Sequence, residues 1–207
     1  MEKKTRHQIG KEHTIQKPKP FYRDDKFTLN GADIGFTVGD YWQFQYSNLL
    51  DKLGNVAEFL VAKALDKECS DNCNGWTLYD IGYKGKRIEV KATSYYQAWK
   101  ESHEICEQRT FSIRKTHVEY QNSETDRERQ NDIYIFCLEN EKPENGLSAN
   151  PLNLENWQFY IIPTTIINDK CGDQKTISLN RVKKLFGSEQ GLSYNQIKPY
   201  VDKIIDD

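Results

Sequence analysis

The chain has 207 residues, of which about 37% are hydrophobic and 29% charged, and its formal net charge is −2. That composition supports one domain with a core and excludes a disordered chain. No apolar run approaches the roughly eighteen residues a membrane-spanning helix needs, and no overall field attracts nucleic acid. Any such contact must rest on local basic patches or bound metal.

Residues 1–26 read as a basic N-terminal arm, and residues 27–207 as a single domain. The first twenty residues carry six Lys/Arg against two Glu, with Pro18 and Pro20. The arm is a solvated tail or one that lies along phosphates. No apolar stretch follows Met1–Arg6, so no export signal is expected and a cytoplasmic protein is. The five cysteines, Cys69, Cys73, Cys106, Cys137 and Cys171, are odd in number and irregular in spacing, which suits a reducing compartment. Cys69 and Cys73, with His103 and Cys106, raise the question of zinc, but ordinary cysteines are the simpler reading.

Asp40 and Gln43 have capping-box spacing, which predicts a helix starting at Asp40 and carrying Tyr41, Trp42, Phe44 and Tyr46. This aromatic helix, to Leu53, offers a possible homodimer interface. Gly54-Asn55 predicts a break, with a second helix over 55–65. Segments 76–81 and 87–92 read as strands joined by a turn over 82–86. A short strand is expected at 110–113. Residues 119–132 read as a charged surface loop or exposed helix. Ile133–Leu138 is a continuous apolar run, as in a central strand buried on both faces. Trp157–Ile162 is another strand, stopped by Pro163, with Thr164 or Thr165 capping a helix. A strand at 176–179 precedes a helix over 181–186, capped by Asn180 and ended by Gly187. Ser193 and Gln196 form a capping pair before a C-terminal helix, in which Pro199 marks a kink or the true start.

Three positions stand out chemically. On a helical wheel Glu58 falls on the apolar arc with Ala57, Leu60, Val61, Ala64 and Leu65. It is either a buried carboxylate that needs compensation or one at the stripe's edge reaching water. Strand alternation puts Glu89 and Lys91 on one face, opposite Ile88 and Val90. If Lys84-Gly85 is a two-residue turn, Asp80 lies directly across from Glu89. A bulge at Gly85 instead moves the register by one. Facing carboxylates repel, and a hard divalent cation between them reverses that sign.

Glu58 on a helix, Asp80 at a strand end and Glu89-Val90-Lys91 on the next strand resemble the PD-(D/E)XK nuclease superfamily. Ile88-Glu89-Val90-Lys91-Ala92-Thr93 is especially similar to its metal-binding strand. Tyr79 stands where that family usually has proline. The resemblance implies an α/β, restriction endonuclease-like fold, with a mixed central sheet flanked by helices. It also implies a metal-dependent endonuclease hydrolysing phosphodiester bonds, in DNA rather than RNA, for restriction, phage defence or repair. By that analogy Asp80, Glu89 and the Val90 carbonyl hold Mg2+, for which Mn2+ substitutes. Lys91 orients water and stabilises developing charge, and Glu58 supports the site. Gln97, six residues after Lys91, and Arg114 are candidate substrate contacts. Tyr95, Tyr96 and Trp99 either stack on bases or pack internally. The alternative is a catalytically inactive nucleic-acid-binding module, or partner protein, of the same fold. Joint retention of Asp80, Glu89 and Lys91 argues against it.

Overall fold

The computed structural model describes residues 21–66, 79–95, 109–117, 127–141 and 150–206. The expected basic arm to residue 20, the strand residues 76–78, Gln97, and Cys69, Cys73, His103 and Cys106 lie outside them. The chain divides into two compact units, Met1–Gln45 and Tyr46–Asp207. Among the described residues no helix is long and apolar enough to cross a membrane.

In the first unit β1 (Lys26–Leu29) pairs antiparallel with β2 (Ala32–Thr37), and α1 (Val38–Tyr46) follows. Asn30 and Gly31 both take positive φ, 52° and 81°, the geometry of a two-residue hairpin turn. The α1 helix starts earlier than expected. Asp40 does not cap it but closes a box from inside: its carboxylate accepts from the Thr37 N–H at 2.7 Å, and the Thr37 hydroxyl accepts from the Asp40 N–H at 3.2 Å. No described residue of 21–45 is buried.

The second unit holds the core. A 3-10 turn at Leu50–Lys52 runs into α2 (Leu53–Ala64), so Gly54-Asn55 sits in the helix's first turn and is not a break. The central sheet has the order β3 (Ile81–Tyr83), β4 (Lys86–Ser94), β8 (Ile133–Glu139), β9 (Trp157–Pro163). β4 and β8 are parallel; the other pairs are antiparallel, so the sheet is mixed. Every residue of β8 is buried, because both of its faces are covered.

Alternation along the strands divides the core. Ile88, Val90, Ile135 and Phe159 face one side, against Ala57, Leu60 and Val61 of α2 and Val201 of α5 (Ile197–Asp206). Tyr134, Phe136, Tyr160 and Ile162 face the other. There they meet Ile167 of α3 (Thr164–Cys171), Val182 of α4 (Leu179–Phe186), and the pair β5 (Thr110–Ser112) and β10 (Thr176–Ser178). The protein is therefore mixed α/β, with helices on both sheet faces.

Several boundaries differ from the sequence expectation. Ser178, not Asn180, caps α4, accepting from the Arg181 N–H at 3.3 Å, while Gly187 ends it at φ 86°. Pro163 occupies the N-cap of α3, so neither Thr164 nor Thr165 caps it. Ser193 and Gln196 form the expected box around a 3-10 turn, and Pro199 lies in the first turn of α5, where a missing N–H costs nothing. The stretch read as exposed turns inward at its end: Arg129, Gln130 and Asn131 are buried, after β7 (Arg127–Glu128) pairs with β6 (Thr116–His117). Arg129 donates to the Ile113 carbonyl at 2.9 Å and to Asn168 at 2.7 Å, which ties β7 to β5 and α3.

Candidate active site

The hairpin β3–β4 positions the carboxylates. Lys84 and Gly85 both have positive φ, 46° and 76°, so the turn has two residues and no bulge. Ile81 pairs with Ile88 and Tyr83 with Lys86, and Asp80 lies just before the first paired residue of β3. The Asp80 N–H donates to the Ile88 carbonyl at 3.0 Å, so Asp80 and Ile81 both oppose Ile88, in the manner of a bulge, and Asp80 does not sit directly across from Glu89. The Asp80 carboxylate then turns along the strand and accepts from the Val90 N–H at 2.7 Å through Oδ2.

Lys91 forms an ion pair with Oε1 of Glu89 two residues away, as their common face allows. Both side chains are largely covered, with 29% and 22% of their surface exposed. Glu58 is half-buried on α2 and interacts electrostatically with Asp80, Glu89 and Lys91. Its carboxyl is pushed up to about 7, first by burial and then by Asp80, with Lys91 opposing the shift. Asp80 is raised by burial, against the Val90 N–H and Lys91. Burial and the Asp80 charge raise Glu89, again against Lys91. Among the described residues the three acids thus share Lys91, and each holds its proton more strongly than in water.

Two further residues complete the surroundings, and neither was singled out by sequence. Tyr134 pairs with Glu89 across β4–β8 and is buried. Its hydroxyl is pushed up to about 12 by burial and then by Glu89, and it hydrogen-bonds with Arg129. An aromatic within an apolar strand carries no sequence signal of this neighbour. On the other sheet face Cys137 is buried, its thiol raised well above the usual range by burial and then by Asp80 and Glu58. Of the candidate substrate contacts, Arg114 is exposed beyond β5, next to Lys115, which pairs with Asp173 at 2.6 Å. Tyr95 packs partly against the second core.

Among the described residues no group of three His, Cys, Asp or Glu side chains is arranged to hold a metal ion. What the hairpin offers is a smaller set: two carboxylates and the Val90 carbonyl. Oδ1 of Asp80 and Oε2 of Glu89 make no hydrogen bond among the described residues. Such a set fits magnesium, which takes one or two carboxylates and keeps several waters. Mutual repulsion between the acids is the cost a cation would relieve.

Crowded acids beside a lysine, on a hairpin at the edge of a mixed sheet, are groups of the kind that acid–base and metal-assisted hydrolases use. The family model for bacteriophage T4 endonuclease IV matches residues 52–181, which span α2, the hairpin and the central sheet. The chain belongs to that family. It is therefore a nuclease, a hydrolase of phosphodiester bonds with nucleic acid as its substrate. No curated protein and no solved structure matches it.

Proposed function

We propose that this nuclease is a divalent-metal-dependent endonuclease of DNA, with Asp80, Glu89 and Lys91 as its working residues. The observation that carries the reading is the register of the hairpin. It brings two half-buried carboxylates close enough for the Asp80 charge to raise Glu89, with a lysine on the same strand face as the second. The likeness of Glu58, Asp80 and Glu89-Val90-Lys91 to the PD-(D/E)XK pattern supports the same assignment.

In this reading Asp80, Glu89 and the Val90 carbonyl hold Mg2+, and Mn2+ substitutes. When bound, the metal supplies Lewis acidity toward a phosphoryl oxygen and lowers the pKa of a coordinated water. The protein's own groups do the rest. The Val90 N–H fixes the Asp80 carboxylate, so little reorganisation is needed on binding substrate. Lys91 leaves Glu89 to donate toward the phosphate as negative charge grows. Glu58, protonated up to about neutral pH, accepts or returns a proton at the edge of the cleft. The likeness alone favours DNA over RNA.

The test is a cleavage panel of plasmid, single-stranded DNA and RNA, each with Mg2+, Mn2+ or chelator. Cleavage of DNA that chelator abolishes is the expected result. Binding without cleavage under every metal would replace this reading with an inactive nucleic-acid-binding module.

A further inference from the structure

Resting on that reading, we propose that a cavity in the same unit, of about 410 Å³, is a phosphate subsite for the nucleic-acid backbone. It opens where β4 and β8 begin and α3 starts, and Arg129, Arg87, Lys86 and Thr165 line it.

Arg129 is the main argument. It is only 6% exposed. Its N–H groups are engaged by the Ile113 carbonyl, the Asn168 side chain, the Gln174 carbonyl at 3.1 Å and the Tyr134 hydroxyl. All of these acceptors are neutral; Asp173 acts on Arg129 electrostatically, but it is exposed and pairs with Lys115, and among the described residues no carboxylate forms an ion pair with Arg129. Hydrogen bonds to neutral groups do not discharge a buried cation, and such a charge is costly unless an anion compensates it. The α3 helix supplies a second, independent attraction. Its N-cap is Pro163, with no side chain able to accept, so no side-chain cap serves its first turn. That end of the helix faces the cavity through Thr164 and Thr165.

The acids at the rim do not cancel this. Asp132 is engaged by Arg87, with its carboxylate accepting from the guanidinium at 3.2 Å and from the Arg87 N–H at 2.8 Å. Glu128, also on the lining, is exposed and acts on Arg87, while the exposed Lys86 acts on Asp132. The cavity also connects to the acids. Arg87 shares the strand face of Glu89, two residues and about 6.7 Å away, and Tyr134 lies between Arg129 and Glu89. That offset is on the scale of one nucleotide step, so the subsite holds a phosphate next to the one being cut.

Thr165 is exposed and makes the test without disturbing Arg129. Thr165→Asp puts a carboxylate at the helix N-terminus, which favours the fold while repelling phosphate. Thr165→Arg does the reverse, and Asn180→Asp, outside the cavity, controls for net charge. The readout is fluorescence anisotropy of a labelled 12-nucleotide DNA in chelator, across salt. Thr165→Asp is expected to weaken binding about five- to tenfold and flatten the salt dependence by about one ion, while Thr165→Arg tightens it. Equal affinities for Thr165→Asp and Asn180→Asp would overturn the subsite. Plasmid cleavage by the wild type, run alongside, separates the two ideas. Cleavage with no Thr165 effect keeps the nuclease and removes the subsite. A Thr165 effect without cleavage keeps the subsite and removes the hydrolytic reading.

Discussion

Replacing Lys91 by alanine probes the site at the cation its three acids share. Lys91 pairs with Glu89 and opposes the upward shift of Glu58, Asp80 and Glu89 alike. With 29% of its side chain exposed, the resting ion pair is partly screened and contributes little to stability. The fold should therefore survive, and melting should change by no more than a few degrees. Transition-state charge is another matter. Losing one preorganised donor to a developing oxyanion costs about 10²–10³ in kcat, roughly 3–4 kcal/mol. Lys91→Ala should then bind DNA within about threefold of wild type but turn over far more slowly. With the cation gone, all three acids hold their protons more tightly, so the acid limb of the pH–rate profile should move to higher pH. Single-turnover cleavage of a labelled duplex between pH 5.5 and 9, beside anisotropy binding, measures both quantities. Wild-type cleavage by Lys91→Ala, or lost affinity with kcat preserved, would refute the role and leave Lys91 a phosphate anchor.

Manganese calorimetry should show binding to the wild type that Asp80→Ala abolishes; equal heats would remove Asp80 from the metal site. Glu139 is buried with Oε2 lacking a hydrogen-bond partner among the described residues, and its carboxyl is raised from 4.5 to about 7 by burial, against the Glu141 N–H. The folded state therefore binds more protons than the unfolded one in that window. Its stabilising contribution is complete below the unfolded pKa and is lost as pH rises through about 7, by at most about 3 kcal/mol. Glu139→Gln should gain on the wild type in Tm from pH 5 to pH 8, and a constant difference would contradict this. Gly85→Ala meets open space, but it forces an L residue to φ 76°. It should cost about 1 kcal/mol in chemical denaturation and lower cleavage by disturbing the β3–β4 register; a neutral outcome would mean the turn does not hold it.

Much of the second unit was legible because its signals are local. The apolar run at 133–138 and the Ser193–Gln196 box are read directly from side-chain chemistry. The hairpin register was open between two alternatives, because lysine at a positive-φ position is a weak turn signal; Lys84 adopts φ 46° and its ammonium pairs with Asp202 at 2.8 Å. The Asn30-Gly31 hairpin passed unread although its turn dipeptide and the alternation of Phe27, Leu29, Ile34 and Phe36 were both present. Gly54 misled because propensity is weak against the packing of Leu53 and Ala57. Arg129 and Tyr134 were invisible for a different reason. A charged stretch ordinarily stays in water, and only the tertiary contacts of Arg129 with Ile113, Asn168 and Gln174 bring it inside.

The central claim is that the neighbouring carboxylates of Asp80 and Glu89 are where phosphodiester hydrolysis occurs. Its most direct measurement is the cleavage rate of a labelled DNA at saturating Mg2+ by wild type and by Asp80→Asn, with circular dichroism confirming that both are folded. Asp80→Asn keeps an acceptor for the Val90 N–H while removing the charge. Loss of about 10³-fold or more in rate is predicted. Undiminished cleavage by folded Asp80→Asn would place the chemistry elsewhere in the chain.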